Sequence, residues 1–215
     1  MKVLAVSVAV PREVQWHGRS VRTSIFKQQV SGRVRVTRLN IEGDRQSDLS
    51  VHGGPEKAVY GYPGEHYVLW RSELPDADLA WGAFGENLTT EGLLEDEVCI
   101  GDRYRIGTTE LIVTQPRTPC YKLGVRFGRP EMVKHFHNRG RSGYYFAVAR
   151  EGEFAAGDLI EPLERDERGL TVADVVRLYA VDSANQSLLE RASQHAALPA
   201  SWRDYFQKRL WTPDA

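Results

Sequence analysis

The apolar pattern changes period once along this chain, near Arg168-Gly169, and that single change limits the fold more than any other feature. Before it, apolar residues come in short alternating or continuous runs broken by glycine and proline; after it, they recur every three or four residues. The first part predicts strands at KVLAVSVAV (2–10), SIFKQQV (24–30) and VRVTRLNI (34–41), the last two split by Ser31-Gly32. A polar, glycine-rich stretch covers 42–54, and a short strand at 58–62 ends at Pro63-Gly64, where Pro63 in a first turn opens a helix through Glu65, His66 and Trp70. VCIGDRYRIGTTELIVTQ (98–115) alternates around a hairpin loop at Gly107-Thr108-Thr109, residues 131–138 read as helix, and YYFAVA (144–149) and 152–162 as further strand. Many short strands with one or two helices predict a mainly β, α+β fold, a closed or nearly closed β-barrel over residues 1–165.

Residues 170–215 predict a small bundle of three helices. TVAD at 171–174 forms a capping box, and Val172, Val175, Val176 and Tyr179 share one face. A second helix starts at Ser183 or Ala184 and runs to Ala197; a third is capped by Ser201, with Trp202, Tyr205, Phe206 and Leu210 inward. At 215 residues and 41% hydrophobic, the chain can bury a full core without covalent staples. Two cysteines form no disulfide framework, so a reducing, cytoplasmic setting is expected. No run approaches the roughly 20 apolar residues of a membrane span. MKVLAVSVAV stops at Pro11 with no cleavage site behind it and reads as a first strand rather than a signal peptide.

The cysteines differ in setting. Cys99 lies in an apolar strand run and reads as core. Cys120, in QPRTPCYKL (115–123), is fixed between prolines and flanked by Arg117 and Lys122. A thiol attacks carbon or binds a soft metal as the thiolate, and nearby cations lower the cost of that charge. The alternative is a proline-rich turn with an incidental cysteine. From 117 to 141 there are seven Lys/Arg and one acid, Glu131, an excess of six in a chain of net charge −1. That excess suits an anion beside Cys120, or a solvated basic face.

GDRQSDLSVHGGPEKAVYGYP (43–63) sets His52 before Gly53 and Gly54, which can take positive φ and let amides approach an anion; Lys57 follows. A solvated turn explains the same residues. In GAFGENLTTEGL (82–93), Asn87 and Thr89 could meet the edge of a heterocycle, or simply fill a loop. Zinc spacing, a Walker loop and a serine-hydrolase elbow are all absent. A cysteine hydrolase pairing Cys120 with His52 stays open.

Together, HGGPEKAVYGYP, FGENLTT-x-GL, IGDRYRIG and QPRTPCYKL resemble the motif set of the MOSC-domain family, the domains related to the C-terminal part of molybdenum cofactor sulfurase. The motifs run in family order from about residue 43 to 124, and the helical end resembles the three-helix extension of the YiiM-like branch. The resemblance implies a barrel-like domain that binds molybdenum cofactor (molybdopterin), with Cys120 as metal ligand. It implies reduction of N-hydroxylated bases such as 6-N-hydroxylaminopurine, with electrons from a separate flavin-containing reductase. On that basis Lys57 and Arg117, then Arg45 and Lys122, are expected to hold the cofactor phosphate with Gly53 and Gly54, and Asn87 and Thr89 the pterin edge. His52 or Asp48 would deliver protons. The reading from another class is a cofactor carrier or sulfur-handling protein without turnover. Five basic and five acidic residues over 170–215 make no nucleic-acid stripe, so the tail is expected to pack on the barrel, cover a homodimer surface or dock the reductase.

Overall fold

The computed structural model describes residues 1–49, 52–180 and 185–210. Its main sheet has eight strands in the order β12-β8-β9-β10-β6-β7-β1-β4. These are β1 (Lys2–Val8), β4 (Gln28–Gln29), β6 (Val59–Pro63), β7 (Leu88–Glu91), β8 (Arg103–Ile106), β9 (Thr109–Pro116), β10 (Tyr144–Arg150) and β12 (Ile160–Glu164). All pairings are antiparallel except β6 with β7, whose crossover carries α1 (Glu65–Glu73). The sheet rolls toward itself: Val3 N–H donates to the Asp158 carbonyl at 3.0 Å and Gly157 N–H to Val3 at 2.8 Å. These bonds and one bridge, Lys2 to Leu159, bring the rolled edges together without a continuous ladder, so the expected barrel is nearly closed rather than closed.

Two small sheets flank it: β5 (Val34–Val36) pairs β11 (Gly152–Phe154), and β2 (Arg12–Trp16) pairs β3 (Arg19–Thr23). The latter hairpin turns at His17 and Gly18, both at positive φ, and the dipeptide between alternating runs is its sequence signal. SIFKQQV, by contrast, is strand only at Gln28–Gln29; Ile25, between β3 and β4, lies outside any strand and is buried. Pro63 ends β6, so α1 begins two residues later at Glu65.

Core packing divides in two. One cluster fills the barrel and continues into the tail through Leu170, Val172, Val175, Leu178, Leu189 and Phe206. The other is aromatic, with Tyr62, Tyr67, Trp70, Phe84 and Phe136 all fully buried beneath α1, α2 (Tyr121–Phe127) and α3 (Met132–Arg139). At its centre Trp70 stacks on Phe136, centroids 5.8 Å apart, and its indole N–H donates to the Tyr62 hydroxyl at 2.7 Å.

The tail holds α4 (Val172–Ala180), α5 (Gln186–Ser193) and α6 (Ala200–Gln207). The capping box is present: Asp174 N–H donates to Thr171 Oγ1 at 3.0 Å, and Thr171 N–H to the Asp174 carboxylate at 3.2 Å. Leu178, not Tyr179, completes the inner face, and Tyr179 is 41% exposed. Asn185 caps α5; the expected start at Ser183 or Ala184 lies outside the described residues. Pro199, not Ser201, precedes α6. Thr171 also bridges to Cys99, and Val172 N–H donates to Val98 at 2.9 Å, so the tail is stitched to the barrel by backbone bonds. Among the described residues no helix is long and apolar enough to cross a membrane.

Candidate functional site

The site begins where β9 stops. Pro116 lacks an N–H and ends the strand, and Arg117 N–H makes one further bond, 3.3 Å to Gly143. Gly143 has φ 60°, and a Cβ there would lie 2.4 Å from the Gly61 carbonyl, so this turn needs glycine to sit close enough. After Pro119 the chain is still extended at Cys120 (φ −120°, ψ 170°), and α2 starts at Tyr121. The helix was not legible because proline and cysteine before it read as turn. Its first turn aims Lys122 inward, where the ammonium donates to Ser47 Oγ at 2.8 Å.

These residues line a cleft of about 680 Å³ that opens to solvent. Cys120, half-buried, stands 3.9 Å from His52 Nε2 through its sulfur. Gly53, Lys57, Arg117, Lys122 and Asn87 share the lining. Gly53 and Gly54 both hold positive φ, 92° and 89°, and Pro55 starts the 3₁₀ turn (Pro55–Lys57) that presents Lys57. Asp48 is exposed and outside the lining, though its carbonyl accepts from His52 N–H at 3.0 Å.

Other expectations are corrected. Thr89 is fully buried in β7, and its hydroxyl donates to Glu86 at 3.0 Å, away from the cleft. Asn87 borders the cleft, but its amide is spent: it accepts from Tyr60 N–H and donates to Ser7 O at 3.2 Å and to Asp44 at 3.0 Å. It braces the floor rather than offering an edge. Arg45 is exposed, Gly54 is half-buried, and both lie outside the lining. The basic excess does not form one patch, because Arg139 and Arg141 turn to Glu73, at 3.1 and 3.5 Å.

Sequence reading missed Lys27, Asp44, Tyr60 and Tyr145, which the fold brings in from other elements. Lys27 is buried and ion-paired to Asp44; burial pushes its pKa down, against the pull of Asp44. Arg117 is only 7% exposed, its guanidinium 4.9 Å from the Tyr60 ring and 5.4 Å from that of Phe136. Neither Arg117 nor the equally buried Lys122 forms an ion pair with a carboxylate among the described residues. Buried cations cost stability unless something anionic meets them. The cleft therefore suits an anion beside a thiol. No group of three or more His, Cys, Asp and Glu converges among the described residues, so a metal here would bring most of its own ligands.

Burial first, then Lys122, Arg117 and Lys57, hold the His52 imidazole below its usual pKa, against Asp48. Burial does the same to His195 in the tail, despite its 3.1 Å contact with Asp166. Both are neutral at pH 7. The unfolded chain protonates these rings near pH 6.5, the folded chain only lower, so stability is full above about pH 6.5 and falls below it. Urea unfolding should show a lower midpoint at pH 5.5 than at pH 7.5; an equal or higher one contradicts this.

A rolled sheet with a cation-lined thiol cleft matches a known family at this point. The model of the MOSC domain matches residues 48–161, and this chain belongs to the MOSC family. The model described as "YiiM-like, 3-alpha helix domain" matches residues 170–212, which sets the chain in the YiiM-like branch. It is 42% identical to the uncharacterized protein YflK of Bacillus subtilis over 96% of this chain and 93% of that one. The crystal structure of YiiM from Geobacillus stearothermophilus superposes with a TM-score of 0.82 at 35% identity, covering 98% of this chain and 99% of that one. A Gibberella moniliformis protein named reductase is 38% identical over 82% of this chain, which spans 32% of that longer protein. MOSC domains are associated in general with binding molybdenum cofactor.

Proposed function

We propose that this chain is a molybdenum-cofactor-dependent reductase of N-hydroxylated bases and related N-hydroxylated compounds, fed by a separate flavin-containing reductase in the cytoplasm. One observation carries the reading: a half-buried cysteine shares its cleft with two buried cations that have no carboxylate partner among the described residues. A thiolate is a soft ligand suited to a thiophilic metal, and a phosphate-bearing cofactor supplies the missing anion. Cys120 would hold the metal, and Arg117, Lys122 and Lys57 the phosphate. A cysteine hydrolase would use Cys120 and His52 but leave those cations unexplained. The name of the Gibberella relative agrees with a reductase.

Reduction of R–NH–OH breaks the N–O bond, takes two electrons and two protons, and yields R–NH₂ and water. When bound, the cofactor supplies the two-electron change. The protein's part is placement and protons. Arg117 and Lys122 are held rigidly, one between aromatic rings and one against Ser47, so an anion meets preset partners. His52, 3.9 Å from the Cys120 sulfur and neutral at rest, can take a proton from solvent and pass it as the imidazolium to the departing hydroxyl.

The test is reduction of 6-N-hydroxylaminopurine by protein from a cofactor-producing host, with a flavin reductase supplied. Native protein should turn over and Cys120→Ser should lose at least about a hundred-fold. Bound cofactor without turnover in native protein would instead establish the carrier role.

A further inference from the structure

Next to the Cys120 loop lies a second, shallow pocket that opens to solvent. Its near wall is the loop itself, Pro116 through Pro119, and its far wall is the tail, with Val176 and Tyr179 of α4 and Trp202 of α6. Arg117 borders both cavities. The loop that carries the thiol and the guanidinium thus meets the tail across this pocket.

One polar contact spans the gap's edge. The Trp202 indole N–H donates to Gln115 Oε1 at 2.8 Å. Gln115 is buried in β9, two residues before Arg117, and its own amide reaches the Glu56 carbonyl at 3.5 Å. Thr114 beside it donates to the same carbonyl at 2.7 Å. Glu56 precedes Lys57 in the 3₁₀ turn. Through Gln115, a side chain of the tail is thus linked to the stretches that carry Arg117 and Lys57. Trp202 is itself held by ring contacts with Tyr179 and Phe206, centroids 5.3 and 5.7 Å away.

We propose that Trp202 is a positioning residue for the site: through Gln115 it fixes the Cys120 loop and the Lys57 turn relative to one another, and this gives the three-helix tail a part in the function of the barrel. The role goes beyond the reductase reading and holds whichever ligand the cleft takes. Gln115 is buried, so taking away the indole leaves its Oε1 short of a partner, and that loss is felt in both segments.

The experiment uses the full chain and two variants. Trp202→Phe keeps a ring against Tyr179 and Phe206 but cannot donate; Gln115→Met keeps the volume and removes the acceptor. Amide hydrogen exchange is followed by mass spectrometry, and Cys120 alkylation by iodoacetamide is followed from pH 6 to 9. Each variant should speed exchange about ten-fold both at 117–120 and at 56–57, leave β8 unchanged, and move the pH profile of alkylation. The double variant should do no more than the larger single one, as expected for two ends of one contact. Faster exchange confined to α4–α6 with a native alkylation profile overturns the proposal, and so do strictly additive effects. If Trp202→Phe fails to fold, Trp202→Leu takes its place in the same comparisons, since it too keeps apolar volume and cannot donate.

Discussion

Replacing Arg117 with methionine should weaken binding of a phosphate-bearing ligand about a hundred-fold and leave the fold nearly as stable as before. The two halves of that expectation have one cause. Arg117 is buried, and no carboxylate pairs with it among the described residues, so its charge is a cost the free protein carries. A charge-assisted hydrogen bond contributes about 1.5–3 kcal/mol, and losing one or two of them to an anion comes to roughly a hundred-fold in affinity. Methionine fits between the Tyr60 and Phe136 rings and removes the desolvated charge, which offsets the lost cation–π contacts. Calorimetric titration with inorganic pyrophosphate, beside thermal unfolding, reads both effects. Unchanged affinity would mean that Arg117 is structural.

Trp70→Ala should do the reverse, costing about 3–5 kcal/mol of stability, the range for deleting a buried aromatic. For a chain of this size that is a fall in Tm on the order of 10 °C. Trp70 is fully buried, stacks on Phe136 and satisfies the otherwise buried Tyr62 hydroxyl, so the variant leaves both a cavity and a lost donor. Phe136 also touches Arg117, which ties the aromatic core to the wall of the site. Thermal unfolding with a Tm within 3 °C of the native value would contradict this packing account.

What the sequence showed of the site was the part written in one or two short stretches. His52, Gly53 and Lys57 come from a single glycine turn, and Arg117, Cys120 and Lys122 from a single proline loop, so local chemistry was enough to single them out. Lys27, Asp44, Tyr60 and Tyr145 were hidden because contacts distant in sequence deliver them: Tyr145 faces Gln115 across β10 and β9, and Lys27, just before β4, pairs with Asp44 on a later loop. Asn87 and Thr89 misled for a related reason. Their polar side chains resemble binding groups in a string of letters, but the fold uses them to satisfy buried backbone and Glu86. The switch to helices after Gly169 was clear from period alone, whereas α2 was masked by the prolines that shape the cysteine loop in front of it.

The central claim is that the Cys120 sulfur is the protein's hold on a transition metal. It is tested most directly by elemental mass spectrometry of native protein and Cys120→Ser, both purified from a host that makes molybdenum cofactor. This account predicts near-stoichiometric molybdenum in the native chain and little in the variant; equal molybdenum in both, or none in the native chain, would contradict it.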